Sequence, residues 1–135
     1  MIEAVIFDLD GTLIRLPMDY KKLFQEFKNI TKRNNLRPLA DAVSKLDKEK
    51  RKEVFKVWDN AELIASANMT VNDEGLAFYK KFANKPKALV TMQGKALVQS
   101  VLASLGLSFN FVFTRENCLD RVEQLKAAVR KLRIS

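Results

Sequence analysis

Apolar residues in this chain follow two periods that take turns along its length. Three short, nearly continuous runs, Ala4-Val5-Ile6-Phe7, Ala88-Leu89-Val90 and the stretch from Phe109 to Phe113, are rich in strand formers and each stops at a polar residue. Between them the spacing lengthens to i, i+3, i+4, i+7. Tyr20, Leu23, Phe24, Phe27 and Ile30 predict a helix from Asp19 to near Asn34-Asn35, and Leu39, Ala42, Val43 and Leu46 a shorter one after Pro38. A third runs from about Glu49 to Asn68, with Val54, Val57, Trp58, Ala61, Ile64 and Ala65 on one face. Pro17 fixes its own backbone and biases Leu16 away from helix, so this point reads as a hinge. Thr70, with Asp73 three residues on, resembles a capping box that opens a helix through Leu76, Phe78, Tyr79 and Phe82. Thr91-Met92-Gln93-Gly94 then leads into a helix with Val98, Val101, Leu102 and Leu105 inward and Gly106 as its stop. Asp120 is a candidate N-cap for a last helix striped by Val122, Leu125, Val129 and Leu132. Strands alternating with helices predict an α/β fold built of parallel βαβ units.

Composition narrows the chemistry. At 135 residues the chain suits one domain carrying an insertion better than two independent domains. It has no histidine, which excludes histidine triads, histidine general bases and the usual zinc ligand sets. Cys118 is the only cysteine, so no intramolecular disulfide forms and a reducing cytoplasm is the expected setting. The chain enters its first strand directly after Met1-Ile2-Glu3, without a basic leader or long apolar run, so neither a targeting peptide nor a membrane span is expected. The formal charge of +8 is concentrated: residues 21–56 hold 12 Lys or Arg against 5 Asp or Glu. Such a segment could steer anionic substrates or touch nucleic acid. With no nucleic-acid motif or stacking platform beside it, it is read here as solvated helix faces.

The chemistry concentrates where the first strand stops, at Asp8-Leu9-Asp10-Gly11-Thr12. In open α/β sheets ligands bind in the crevice beyond the carboxyl ends of the strands, so two acids there are well placed, although Asp and Gly also make ordinary turns. The segment Asp8-Leu9-Asp10-Gly11-Thr12-Leu13 resembles the first motif, D-x-D-G-T, of the haloacid dehalogenase (HAD) superfamily. That resemblance implies a Rossmann-like core at residues 1–14 and 71–135 with a small helical cap inserted at 15–70. It also implies phosphomonoester hydrolysis, with Asp8 as the nucleophile that forms an aspartyl-phosphate and Asp10 as general acid and base. A second acid beside the nucleophile favours the phosphatase over the dehalogenase branch.

Further matches follow the same order. Thr91 is similar to the family's second motif, a hydroxyl residue that binds the phosphoryl group together with the adjacent backbone N–H, here that of Met92; Thr91 could equally cap the following helix. The basic third motif is matched best in spacing by Arg121, with Arg115 as its competitor. Arg departs from the usual Lys but offers a fork suited to phosphate oxygens. The family's magnesium is held by the first Asp, the backbone carbonyl of the second and an acid of a fourth motif, G-D-x-x-x-D, which does not occur before Ser135. Mg²⁺ at Asp8 and Asp10 is therefore expected to bind weakly, and activity to be weak or lost. The alternative is an inactive remnant or phosphate-binding module. A core that stops after its third strand and helix would also bare one edge of the first strand, through which a homodimer is an expected association. A small phosphorylated molecule is the expected ligand.

Overall fold

The computed structural model describes residues 2–34 and 39–133. Asn35 and Pro38, used above as helix boundaries, lie outside the described residues. The three apolar runs become one parallel sheet: β1 (Val5–Phe7), β4 (Lys87–Val90) and β5 (Phe111–Phe113), in the order β1-β4-β5. Phe7 lies opposite Leu89, and Val90 opposite Phe113, so the three carboxyl ends stand side by side. The last strand starts later than the apolar run because Phe109 turns onto the sheet, its ring 5.8 Å from Phe7 and 5.5 Å from Tyr79.

Alternation along the strands supplies both faces of the core. Phe7 and Leu89 face α4 (Asp73–Lys81) and α5 (Lys95–Leu105), where they pack with Leu97, Val98 and Val101. Ala88 and Val90 face α6 (Arg121–Leu132) and meet Ala128 and Leu132. The apolar stripe of α6 divides: Leu132 is buried, whereas Val122, Leu125 and Val129 are exposed and Gln124 takes an interior place. Gln124 is held there because its Nε2 donates to the carbonyls of Thr91, Thr114 and Cys118 at 3.1, 3.0 and 2.9 Å, sharing two hydrogens among three acceptors.

Between β1 and α4 the chain makes α1 (Tyr20–Thr31), α2 (Leu39–Ser44) and α3 (Lys48–Ser66), which form a cap with its own core. Leu23, Phe27, Val43, Val54 and Trp58 fill it, and Phe27 meets Trp58 edge-on at 5.8 Å. Asp19 and Asp47 cap α1 and α3 by accepting from the Lys22 and Lys50 N–H groups. The spacing put Ile64 on the buried face of α3, but Ile64 is exposed and Glu62 is buried in its stead. The chain passes between core and cap through β2 (Ile14–Arg15) and β3 (Thr70–Val71), which pair antiparallel.

Thr70 lies in that ribbon and does not cap α4. Asn72 is the N-cap residue, and its amide instead donates to the Thr12 carbonyl at 2.8 Å. Gly75 completes this joint, since a Cβ there would overlap the Thr12 carbonyl oxygen. The turn after β1 is thus pinned from below by α4. No helix of the described residues is long and apolar enough to cross a membrane.

Candidate active site

Leu9 organises the turn that carries the acids. It is fully buried, and its carbonyl receives the N–H groups of Thr12, Leu13 and Ile14 at 3.3, 2.9 and 3.2 Å. Gly11 sits at φ +87°, which a side chain would disfavour, and this lets the chain reverse within a few residues. Asp8 and Asp10 flank the buried Leu9. Asp8 Oδ1 accepts from the Leu9 N–H at 2.7 Å, and Asp10 Oδ1 accepts from the Leu16 N–H at 2.9 Å, so both carboxylates are oriented by backbone.

The remaining Asp8 oxygen meets one of the two arginines. Arg121 Nη2 donates to Asp8 Oδ2 at 2.9 Å, joining residues 113 positions apart. Asp120 caps α6 by accepting from the Glu123 N–H at 3.2 Å, which makes Arg121 the first helical residue and places it at the carboxyl ends of the strands. Arg115 is turned toward α3 instead. Its side chain is fully buried, with Nη1 donating to Glu62 Oε2 at 2.9 Å and Nη2 to Asp59 on α3.

Thr91 is also fully buried. Its hydroxyl pairs with the Gln93 side chain and accepts from the Gln93 N–H at 3.1 Å, so it turns into its own loop, and the N-cap of α5 is Gly94. Within residues 91–95 the Thr91 N–H is taken by the Phe113 carbonyl, Gln93 by Thr91 Oγ1, Gly94 by Glu62 Oε1 and Lys95 by Glu116. Among the described residues, the Met92 N–H alone in this loop carries no protein partner. The strand register puts this loop beside the turn that bears Asp8, since Phe7 pairs with Leu89. A groove of about 350 Å³ opens next to it, lined by Phe7, Asp8, Phe78, Val90, Arg121 and Leu125 among others.

Two groups near the site are shifted in their titration. Burial pushes the Glu62 carboxyl above its ordinary range, and the hydrogen bond and charge of Arg115 recover only part of that cost. The Tyr20 phenol, at the start of α1, is also raised, first by burial and then by the Asp10 and Glu62 carboxylates. The first turn of the cap therefore lies within electrostatic reach of the acid turn. The sequence reading missed Glu62, Asp59 and Gln124. Glu62 did leave a signal, falling four residues after Trp58 and three before Ala65 on the same face of a helix.

No protein-family model and no curated protein matches the sequence. Solved structures do match in shape. A candidate haloacid dehalogenase-like hydrolase from Bacteroides fragilis aligns over 98% of this chain and 73% of its own, with TM-score 0.66 and 16% identity. A haloacid dehalogenase-like family hydrolase from Streptococcus pneumoniae aligns over 96% and 70%, with TM-score 0.62 and 14% identity. This chain has the haloacid dehalogenase fold. A candidate beta-phosphoglucomutase from Thermotoga maritima shares the fold over 99% of this chain and 72% of its own, with TM-score 0.54 and 16% identity.

The fold implies a magnesium ion, and the donors can be tested against it. Among the described residues no three acidic or cysteine side chains converge as a metal cluster. Asp8 has one oxygen on Arg121 and the other on a backbone N–H, and one oxygen of Asp10 is held by the Leu16 N–H. These donors do not complete a magnesium site.

Proposed function

We propose that this chain binds the phosphoryl group of a small phosphomonoester between Arg121, the Met92 N–H and Asp8, and transfers it to Asp8. The observation that carries this reading is the ion pair between Arg121 and Asp8 at 2.9 Å in the wall of the groove. An anionic substrate approaching a carboxylate is repelled, and a guanidinium that faces both lowers that barrier. Arg121 suits the task because its fork can hold Asp8 with one nitrogen and a phosphoryl oxygen with another. The unpartnered Met92 N–H adds a backbone donor of the kind that anion sites use.

The step proceeds as follows in this reading. An Asp8 oxygen attacks phosphorus, the bond from phosphorus to the ester oxygen breaks, and Asp10 delivers its proton to the departing alkoxide. Asp10, now ionised, takes a proton from water as that water attacks phosphorus, and the Asp8 oxygen leaves with its original electron pair. One difficult displacement becomes two easier ones. The Asp8 carboxylate and the Asp10 carbonyl are the groups that would hold a magnesium ion, whose charge would offset that of the phosphoryl group, but by themselves they supply too few donors.

A second reading, a phosphate-binding module without turnover, is favoured by the incomplete donor set. Both are tested by assaying an aryl phosphate with and without Mg²⁺ and titrating orthovanadate in parallel. Turnover that disappears in Asp8→Asn supports the hydrolase. Vanadate binding without turnover, lost in Arg121→Ala, supports the module. Turnover that survives Asp8→Asn refutes the nucleophile, and neither binding nor turnover refutes both readings.

A further inference from the structure

The phosphate loop is tethered to the cap through a buried cluster that the reaction does not use. Arg115 Nη1 donates to the Met92 carbonyl at 3.2 Å as well as to Glu62, and the Arg115 N–H donates to the Gln93 carbonyl at 3.3 Å. Glu62, from α3 of the cap, accepts the Gly94 N–H at 3.0 Å with its other oxygen. The guanidinium lies over the ring of Trp58 at 4.2 Å and that of Phe55 at 5.7 Å, both also on α3. Gly94 fits against this cluster because a Cβ would strike Asp59 and the Arg115 guanidinium.

Together with a contact from the core, these contacts hold the peptides on both sides of the Met92 Cα. A trans peptide is planar, with its N–H directed opposite to its carbonyl. The peptide that bears the Met92 N–H has its carbonyl on Thr91, fixed from the core by Gln124. The next peptide has its carbonyl on Met92, fixed by Arg115, which is itself held by Asp59 and Glu62 of the cap. One plane is set by the core and its neighbour by the cap.

We propose that Arg115 is a positioning residue that couples the seating of α3 to the conformation of residues 92–94, the peptides that follow the free Met92 N–H. The turn that presents that N–H then keeps its shape only while α3 is docked. The role of that N–H rests on the function proposed above, whereas the coupling itself does not. Buried charge-assisted contacts of this kind are worth enough that losing one should loosen anion binding on the order of tenfold.

Two measurements separate the proposals. In the protein without ligand, hydrogen exchange at residues 92–95 is compared between the wild type, Glu62→Gln and Arg115→Lys. Coupling predicts faster exchange in this loop in Glu62→Gln, less acceleration in Arg115→Lys, which keeps the charge, and no change in β4. Loop exchange that stays at the wild-type rate while α3 loosens overturns the coupling, whatever the protein's activity. Orthovanadate is then titrated while following emission from Trp58, the single tryptophan, which lies under Arg115. The wild type should show an emission change that saturates with binding, and Glu62→Gln should bind about tenfold more weakly while melting as a folded protein. Unaltered vanadate affinity in Glu62→Gln refutes the positioning role. Asp8→Asn keeps the wild-type exchange pattern whether or not vanadate binds, so loss of the proposed function and loss of the coupling read out separately.

Discussion

Replacing Arg121 by alanine separates a binding role from a structural one. Its ion pair with Asp8 is partly solvated on both sides, 45% exposed at Arg121 and 30% at Asp8. Pairs that wet contribute at most about 1 kcal/mol to folding. Arg121→Ala should therefore lower the melting temperature by only a few degrees, roughly what about 1 kcal/mol produces in a domain of this size. The effect on a bound phosphoryl anion is larger, because a charge-assisted hydrogen bond to phosphate is lost and Asp8 is left to repel the anion. At about 1.5–3 kcal/mol for such a bond, affinity for orthovanadate should fall roughly 10- to 100-fold. Calorimetric titration at low and moderate salt, with thermal unfolding alongside, reads both quantities. Arg121→Lys should recover part of the affinity through its charge but not through the fork. If Arg121→Ala binds vanadate as the wild type does, or unfolds by several kcal/mol, the residue is a structural brace and the site lies elsewhere.

Three further outcomes follow from other parts of the fold. Gly75→Ala, which in an exposed helix would stabilise by about 1 kcal/mol, should instead destabilise by about 1–3 kcal/mol because the new Cβ meets the Thr12 carbonyl; unchanged or raised denaturation midpoints would refute the joint. Glu62 binds its proton more tightly in the folded chain than in the unfolded one, so the stability it contributes is complete below the ordinary carboxylate range and is lost as pH rises through its raised value. Melting scans should show that falling limb in the wild type and not in Glu62→Gln, and identical pH profiles would refute it. Among the described residues β1 pairs only with β4, and exposed Phe78 and Leu125 share a groove with Ile6 and Phe7, so we propose a homodimer that joins two β1 edges antiparallel. Added salt should strengthen it by screening the net charge of +8, and a monodisperse monomer in light scattering at all salt concentrations would refute it.

The sheet and its acid turn were legible because local signals agree. A strand-forming run, an abrupt change to carboxylates and a glycine at positive φ all lie within Val5 to Gly11, and no distant contact is needed to read them. The placement of Arg121 was legible through its neighbour, since the Asp120 N-cap fixes where α6 starts. Spacing alone did not exclude Arg115, as both arginines follow the third strand. What engages Arg115 is Glu62, 53 residues earlier in the chain, and no local period reports a partner at that distance. The same long-range pairing misled the reading of α3 and α6. An amphipathic count assigns apolar residues to the interior, yet Glu62 displaces Ile64, and Gln124 lies inside while Val122 stays out.

These inversions share a physical cause. The carboxyl ends of three parallel strands leave backbone carbonyls and N–H groups that neither the sheet nor a helix can pair, and burying them unpaired costs more than burying a polar side chain that satisfies several at once. Gln124 meets three such carbonyls, and Glu62 with Arg115 meets the Gly94 N–H and the Met92 carbonyl. A helix therefore turns a polar residue inward where it packs over strand ends, even at the expense of an exposed valine or isoleucine. The groups that remain unpaired after this accounting are where a ligand can add stability. In the loop at residues 91–95, among the described residues, that remainder is the Met92 N–H, one loop over from the turn that carries Asp8 and its partner Arg121.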